Sequence, residues 1–85
     1  MDKYYWKITK DIIGCGENDK VDGPRGADKS IPTPFKFKMY DDDGELYYQG
    51  ECSHEEFYPL DDFGMPNAGC TEIKYFQSDG TLQTL

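Results

Sequence analysis

Between residues 35 and 50 the chain alternates apolar and polar side chains on both sides of a short polar turn, and few folds accommodate that pattern. In an extended strand successive side chains leave on opposite faces. Phe35, Phe37 and Met39 therefore share one face, and Lys36, Lys38 and Tyr40 the other. Pro34 stands at the entry, where it interrupts no ladder. Asp41, Asp42, Asp43 and Gly44 supply turn chemistry, and Glu45 to Gly50 returns as the second strand. Pairing Tyr40 with Glu45 sets Met39 against Leu46 and Phe37 against Tyr48 on one face. It sets Lys38 against Tyr47 and Lys36 against Gln49 on the other. Apolar meets apolar on one face and polar or aromatic groups meet on the other, so the segment is expected to be a hairpin with one buried face.

The rest of the chain extends that sheet. Its 85 residues make one domain, 1–85. A chain of this size buries only about 60% of its unfolded surface. Seven Tyr, five Phe and one Trp nevertheless give it the means to close a small core, since each buried aromatic removes roughly 150–250 Å² from water. That content also argues against disorder, which a hydrophobic fraction of 36% and a net charge of −8 would otherwise suggest. Tyr4 to Ile13 alternates as a strand, with Tyr4, Trp6 and Ile8 on one face. Residues 14–33 are a long polar loop punctuated by Gly and Pro. Residues 51–69 show no clean period. Ser53 followed by Glu56 resembles a helix-capping box, and Pro59 limits any helix there to about one turn. Phe57, Tyr58, Leu60, Phe63 and Met65 are apolar enough to be expected under one end of the sheet. Cys70 to Gln77 alternates again, Ser78-Asp79-Gly80 is a hairpin loop, and Thr81 to Leu85 is a fifth, edge strand. The expected class is mainly β. It is a small antiparallel sheet of four or five strands, a meander or a partly open barrel, with one long polar loop and little or no helix.

Charge is distributed unevenly along the chain. Residues 1–38 hold eight of the nine basic residues and six acids, a net of +2, while residues 39–85 hold one Lys and eleven acids, a net of −10. Residues 41–62 contain nine acids and no Lys or Arg. A field of one sign steers encounter with a cationic partner. It disfavours direct nucleic-acid binding, which depends on cationic patches that release counterions. The longest apolar run is Tyr4-Tyr5-Trp6, far below the roughly 20 residues that span a bilayer, so no membrane contact is expected. An odd cysteine count and the start MDKYYWK, which does not read as a secretion signal, lead to an expectation of reduced thiols in the cytoplasm.

The motifs that might carry chemistry fall short of their requirements. With Gly44 at position 6 of an EF-hand loop, Met39 would stand at position 1 and Gly50 at position 12, where oxygen ligands are needed. Cys52, His54 and Cys70, with Cys15, could form a zinc site, but the close Cys pair of structural zinc sites is missing. A nucleophilic site needs a nucleophile, a base and an orienting group, and His54 is the only His. No cofactor is expected and no enzymatic activity.

The expected function is that of an acidic protein-binding module. Asp41, Asp42, Asp43, Glu45, Tyr47, Glu55, Glu56, Tyr58, Asp61 and Asp62 are the candidate contact residues. They combine charge of one sign with aromatic anchors, and the partner would be a protein with a basic surface. Such a module can occupy a nucleic-acid-binding site as a mimic and so inhibit its partner. In size and charge, though in no motif, the chain resembles small proteins of mobile elements and phages that block restriction or CRISPR machinery. Two other readings stand beside this one. The first is a metal-binding or catalytic protein using Cys52, His54 and Cys70. The second is an accessory structural subunit, because the edge Thr81–Leu85 carries no Lys or Pro to prevent strand pairing with a partner or a second copy.

Overall fold

The alternating segment forms the middle of an antiparallel sheet. A computed structural model describes residues 3–14, 16 and 19–85. Its strands are β1 (Trp6–Asp11), β2 (Asp22–Gly23), β3 (Phe35–Tyr40), β4 (Leu46–Cys52), β5 (Glu72–Phe76) and β6 (Leu82–Thr84). The architecture is mainly β, with six strands in the order β2-β1-β4-β3-β5-β6. β1 inserts beside β4, so the order is not sequential. The extra strand, β2, comes from the loop expected at 14–33, where Asp22 and Gly23 pair with Lys7 and Trp6. Cys15 lies outside the described residues.

The hairpin keeps the expected faces and changes its register. Met39 pairs with Tyr48, Phe37 with Gly50 and Phe35 with Cys52, and the pairing shifts at Tyr40, which stands opposite Leu46. Most pairs are thus displaced by two residues from the expected ones, with Tyr47 as the extra residue of the bulge. A two-residue slip preserves which side chains face inward, so the alternation alone could not exclude it. Gly50 is what the new register needs. A Cβ there would collide with the Lys7 carbonyl oxygen and stand 2.5 Å from the Phe37 ring.

Inward side chains of β1, β3, β4 and β5 build the core: Trp6, Ile8, Phe37, Met39, Tyr48, Cys52, Ile73 and Tyr75. Leu60, Phe63 and Cys70 cover them from one side. Leu60 and Phe63 belong to a widened helical turn, Leu60–Gly64, closed by the Met65 N–H on the Leu60 carbonyl. It leads into one ordinary turn, α1 (Met65–Ala68). Pro66 has no N–H for an i−4 carbonyl and its ring needs the space where that carbonyl would stand, which the wide turn before it provides. Gly64 lets this segment close onto the sheet, since a Cβ there would stand 2.7 Å from the Met39 sulfur.

Two local expectations for this segment do not hold. Ser53 caps no helix, because its hydroxyl oxygen accepts the Tyr5 N–H at 3.0 Å. Phe57 and Met65 are not covered and stay 44% and 50% exposed. The opposite face of the sheet carries Lys7, Lys36, Lys38, Gln49, Lys74 and Phe76, and among the described residues no helix or strand packs across its centre. Among the described residues no helix is long and apolar enough to cross a membrane.

Candidate functional site

The carboxylates that are continuous in sequence separate in space. Asp41, Asp42, Asp43 and Glu45 lie at the turn joining β3 to β4. Glu55, Glu56, Asp61 and Asp62 lie beyond Cys52, at the other end of β4. The seven residues of that strand set the two groups roughly 20 Å apart, at about 3.3 Å per residue. The acids therefore form two separate surfaces, one at each end of the sheet.

At the first surface Asp41 belongs to the turn itself. Its carboxylate accepts the N–H groups of Asp43 at 2.9 Å and Glu45 at 2.8 Å. The Asp41 N–H donates to the Glu45 carbonyl at 3.0 Å. The Glu45 N–H, with the Tyr47 hydroxyl, holds the Asp41 carboxyl below its ordinary pKa. The same bond raises Tyr47. Asp42, Asp43 and the Glu45 side chain remain exposed.

The second surface is an arm, 53–62, fixed to the sheet at several points. Ser53 N–H donates to the Tyr5 carbonyl at 2.8 Å, and within the arm Asp61 N–H donates to the Phe57 carbonyl at 2.9 Å. The buried Tyr75 hydroxyl donates to the Glu56 carbonyl at 2.7 Å, and burial pushes that phenol's pKa upward. Tyr58 stacks on Tyr4 with ring centroids 3.8 Å apart. Asp62 accepts the Tyr4 hydroxyl at 2.8 Å and the Trp6 indole N–H at 2.9 Å. Burial, then that bond to Asp62, raises Tyr4 to about 12. Tyr58 and Asp62 thus brace the arm. Glu55, Glu56 and Asp61 stand exposed on it with the Phe57 ring. None of these three acids, nor Asp42 or Asp43, joins an ion pair among the described residues, where the pairs are Lys7–Glu51 and Lys29–Asp22.

The metal-binding alternative is not assembled. Among the described residues no three His, Cys, Asp or Glu side chains come together to hold a metal ion, so Cys52, His54 and Cys70 do not converge. Cys52 lies at one end of the sheet, opposite Trp6 and Phe35. Cys70 lies beside Gly64 and Met39. Both thiols are buried, and desolvation raises them, Cys70 to about 11. His54 Nδ1 lies 2.8 Å from the Ser53 hydroxyl.

Of the residues at the second surface, the exposure of Phe57 was not foreseen. Its signal was the missing period in 51–69, since an apolar residue outside any alternation has no face assigned to it. Comparison with protein-family models, curated proteins and solved structures finds no match to the chain.

Proposed function

We propose that the protein is an acidic, non-enzymatic binding module that presents the 53–62 arm to a protein with a basic surface. The observation that carries this reading is the Phe57 ring, 44% exposed, among Glu55, Glu56 and Asp61 on a braced backbone. A rigid aromatic anchor ringed by unpaired charge of one sign suits a cationic pocket, because little ordering is needed on binding. Charge steers the encounter and the ring fills the contact. Basic pockets on proteins are commonly phosphate-binding surfaces, so the module would compete with nucleic acid for its partner and inhibit it as a mimic. The Asp41–Glu45 turn is secondary in this reading, since Asp41 is consumed by its own turn.

The test is affinity capture with the immobilised protein at stepped salt, followed by identification of what is retained. Retained proteins should be basic, should elute as salt rises, and should be displaced by duplex DNA. The triple variant Glu55→Lys/Glu56→Lys/Asp61→Lys and the single variant Phe57→Ala should each abolish capture, while Asp42→Lys/Asp43→Lys should leave most of it. Equal capture by the arm variants and the native protein would overturn the assignment of the surface.

A further inference from the structure

The uncovered face of the sheet carries a row of lysines that the net charge conceals. Directly paired residues of an antiparallel sheet share a face. Lys10 pairs with Gln49, Gln49 with Lys38, Lys38 with Lys74 and Lys74 with Thr84. The result is a line across five strands, Lys10–Gln49–Lys38–Lys74–Thr84, with three cations and no acid. At a strand spacing of about 4.8 Å, the backbones of Lys10 and Lys38 lie about 10 Å apart and those of Lys38 and Lys74 about 5 Å. Like charges directly opposite one another destabilise a sheet. This chain has 17 acids and sets none opposite this pair. The acids on the same face are elsewhere. Asp22 stands opposite Lys7 and is held by the Tyr5 hydroxyl at 2.8 Å and Lys29 at 3.2 Å. Glu51 is bound by Lys7 at 3.4 Å and the Thr33 hydroxyl at 3.1 Å. Glu72 stands opposite Tyr40, and Glu55 borders the face, lining one hollow with Lys36 and Phe76.

Aromatic rings flank the row on both sides. The Lys38 ammonium lies 5.4 Å from the centre of the Phe76 ring, and that of Lys74 lies 5.0 Å from the Tyr40 ring. Phe76 is 37% exposed. Beside it lies a shallow hollow of about 210 Å³ lined by Thr9, Lys36, Gln49 and Phe76 among others. We infer that this face binds single-stranded nucleic acid, with phosphates along Lys10, Lys38 and Lys74 and a base against Phe76. Cations in line with rings at their side match a strand whose phosphates and bases alternate. An acidic peptide would use the cations but give the rings no planar partner. The inference goes beyond the arm's proposed partner and does not depend on it.

The experiment uses the purified protein alone with a fluorescently labelled oligothymidylate of about 12 nucleotides, a length matching known single-strand site sizes, read by anisotropy across a salt series. Three phosphate contacts give a log–log salt slope near −2, at about −0.7 per contact. Lys38→Gln/Lys74→Gln should bring the slope to about −0.7, and Phe76→Ala should weaken binding roughly tenfold, the loss of one stacked base. Trp6 fluorescence checks that each variant is folded. Three results would overturn the inference. One is no binding at about 100 μM protein in low salt, the weak end of non-specific affinity. Another is equal affinity for a duplex. The third is displacement of the oligonucleotide by polyglutamate at equal charge, which would assign the face to acidic peptides.

Discussion

Asp62 was expected to contact a partner, and its position makes a different demand that can be measured. Its carboxylate receives both the Tyr4 hydroxyl and the Trp6 indole N–H. Trp6 is only 3% exposed, so Asp62→Ala leaves its N–H with little access to water. A stranded buried donor costs about 1–3 kcal/mol. The Tyr4 bond is exposed and water replaces it cheaply, so the expected loss is about 2 kcal/mol in all. For a domain of this size that lowers Tm by roughly 8–16 °C. Asp62→Asn keeps an amide oxygen as acceptor and loses only the charge assistance, about 1 kcal/mol or less. Asp61→Ala next to it should change stability by less than about 0.5 kcal/mol, as an exposed surface substitution. Urea unfolding followed by tryptophan fluorescence suits the question, because Trp6 is the only tryptophan and sits at the perturbed bond. The reasoning fails if Asp62→Ala costs no more than Asp61→Ala, or if Asp62→Asn costs as much as Asp62→Ala.

Gly50→Ala should be at least as damaging. The added methyl meets the Lys7 backbone and the Phe37 ring between two strands, and overpacking of this kind costs about 1–3 kcal/mol or more. Loss of the cooperative urea transition, or a midpoint sharply lowered, is the expected reading. Stability should also hold level with pH only over a middle range. Asp22, lowered first by the Tyr5 hydroxyl, and Asp41, lowered first by the Glu45 N–H, contribute stability that is present above their ordinary value of 3.8 and lost as pH falls below it. Cys70, raised from 9.0 to about 11, and Tyr4, raised from 10.0 to about 12, both by desolvation first, stay protonated in the fold after the unfolded chain ionises. Their contribution is present below those ordinary values and lost as pH rises through the folded ones. Urea midpoints from about pH 3 to 11 should show a plateau falling at both ends, and a midpoint still rising above pH 9 would contradict the burial of these groups.

The faces of the sheet were legible in the sequence because alternation at Phe35–Tyr40 and Glu72–Phe76 reports directly which side chains are buried. The register was not legible. Phe37 can face Tyr48 or Gly50 with the same faces inward, and the choice fell to the bulge at Tyr47 and the Asp41 turn. The helical cover was illegible for another reason. Its wide turn follows neither period, and Pro59 reads as a breaker although it only precedes the turn. Of the candidate site residues, Glu55, Glu56 and Asp61 stand exposed as a reader of the sequence would place them. Tyr58 is half-buried, and Asp62, though exposed, is taken up by hydrogen bonds, because their partners, Tyr4 and Trp6, are more than fifty residues away.

Separation in space also changes what the net charge means. Fields of exposed charges decay over about 8 Å at physiological ionic strength. The molecule measures 33 × 31 × 21 Å across its principal axes, so charges at opposite ends of the sheet act almost independently. The acidic arm, the acidic turn and the lysine row are then three local fields, and −8 describes none of them. A cationic partner approaching the arm meets Glu55, Glu56 and Asp61, of which Glu55 borders the lysine face, lining one hollow with Lys36 and Phe76. An anion approaching the row meets Lys10, Lys38 and Lys74 with the turn's carboxylates at its margin. Lowering the ionic strength lengthens the decay to roughly 30 Å at 0.01 M. At that length the acids at both ends reach the row and oppose an anion there. The affinity of the lysine face should therefore rise less steeply at very low salt than its slope at moderate salt extrapolates, and Asp42→Asn/Asp43→Asn should straighten the plot. A change in the moderate-salt affinity on that substitution would mean that the fields are not independent and that the turn belongs to the same surface.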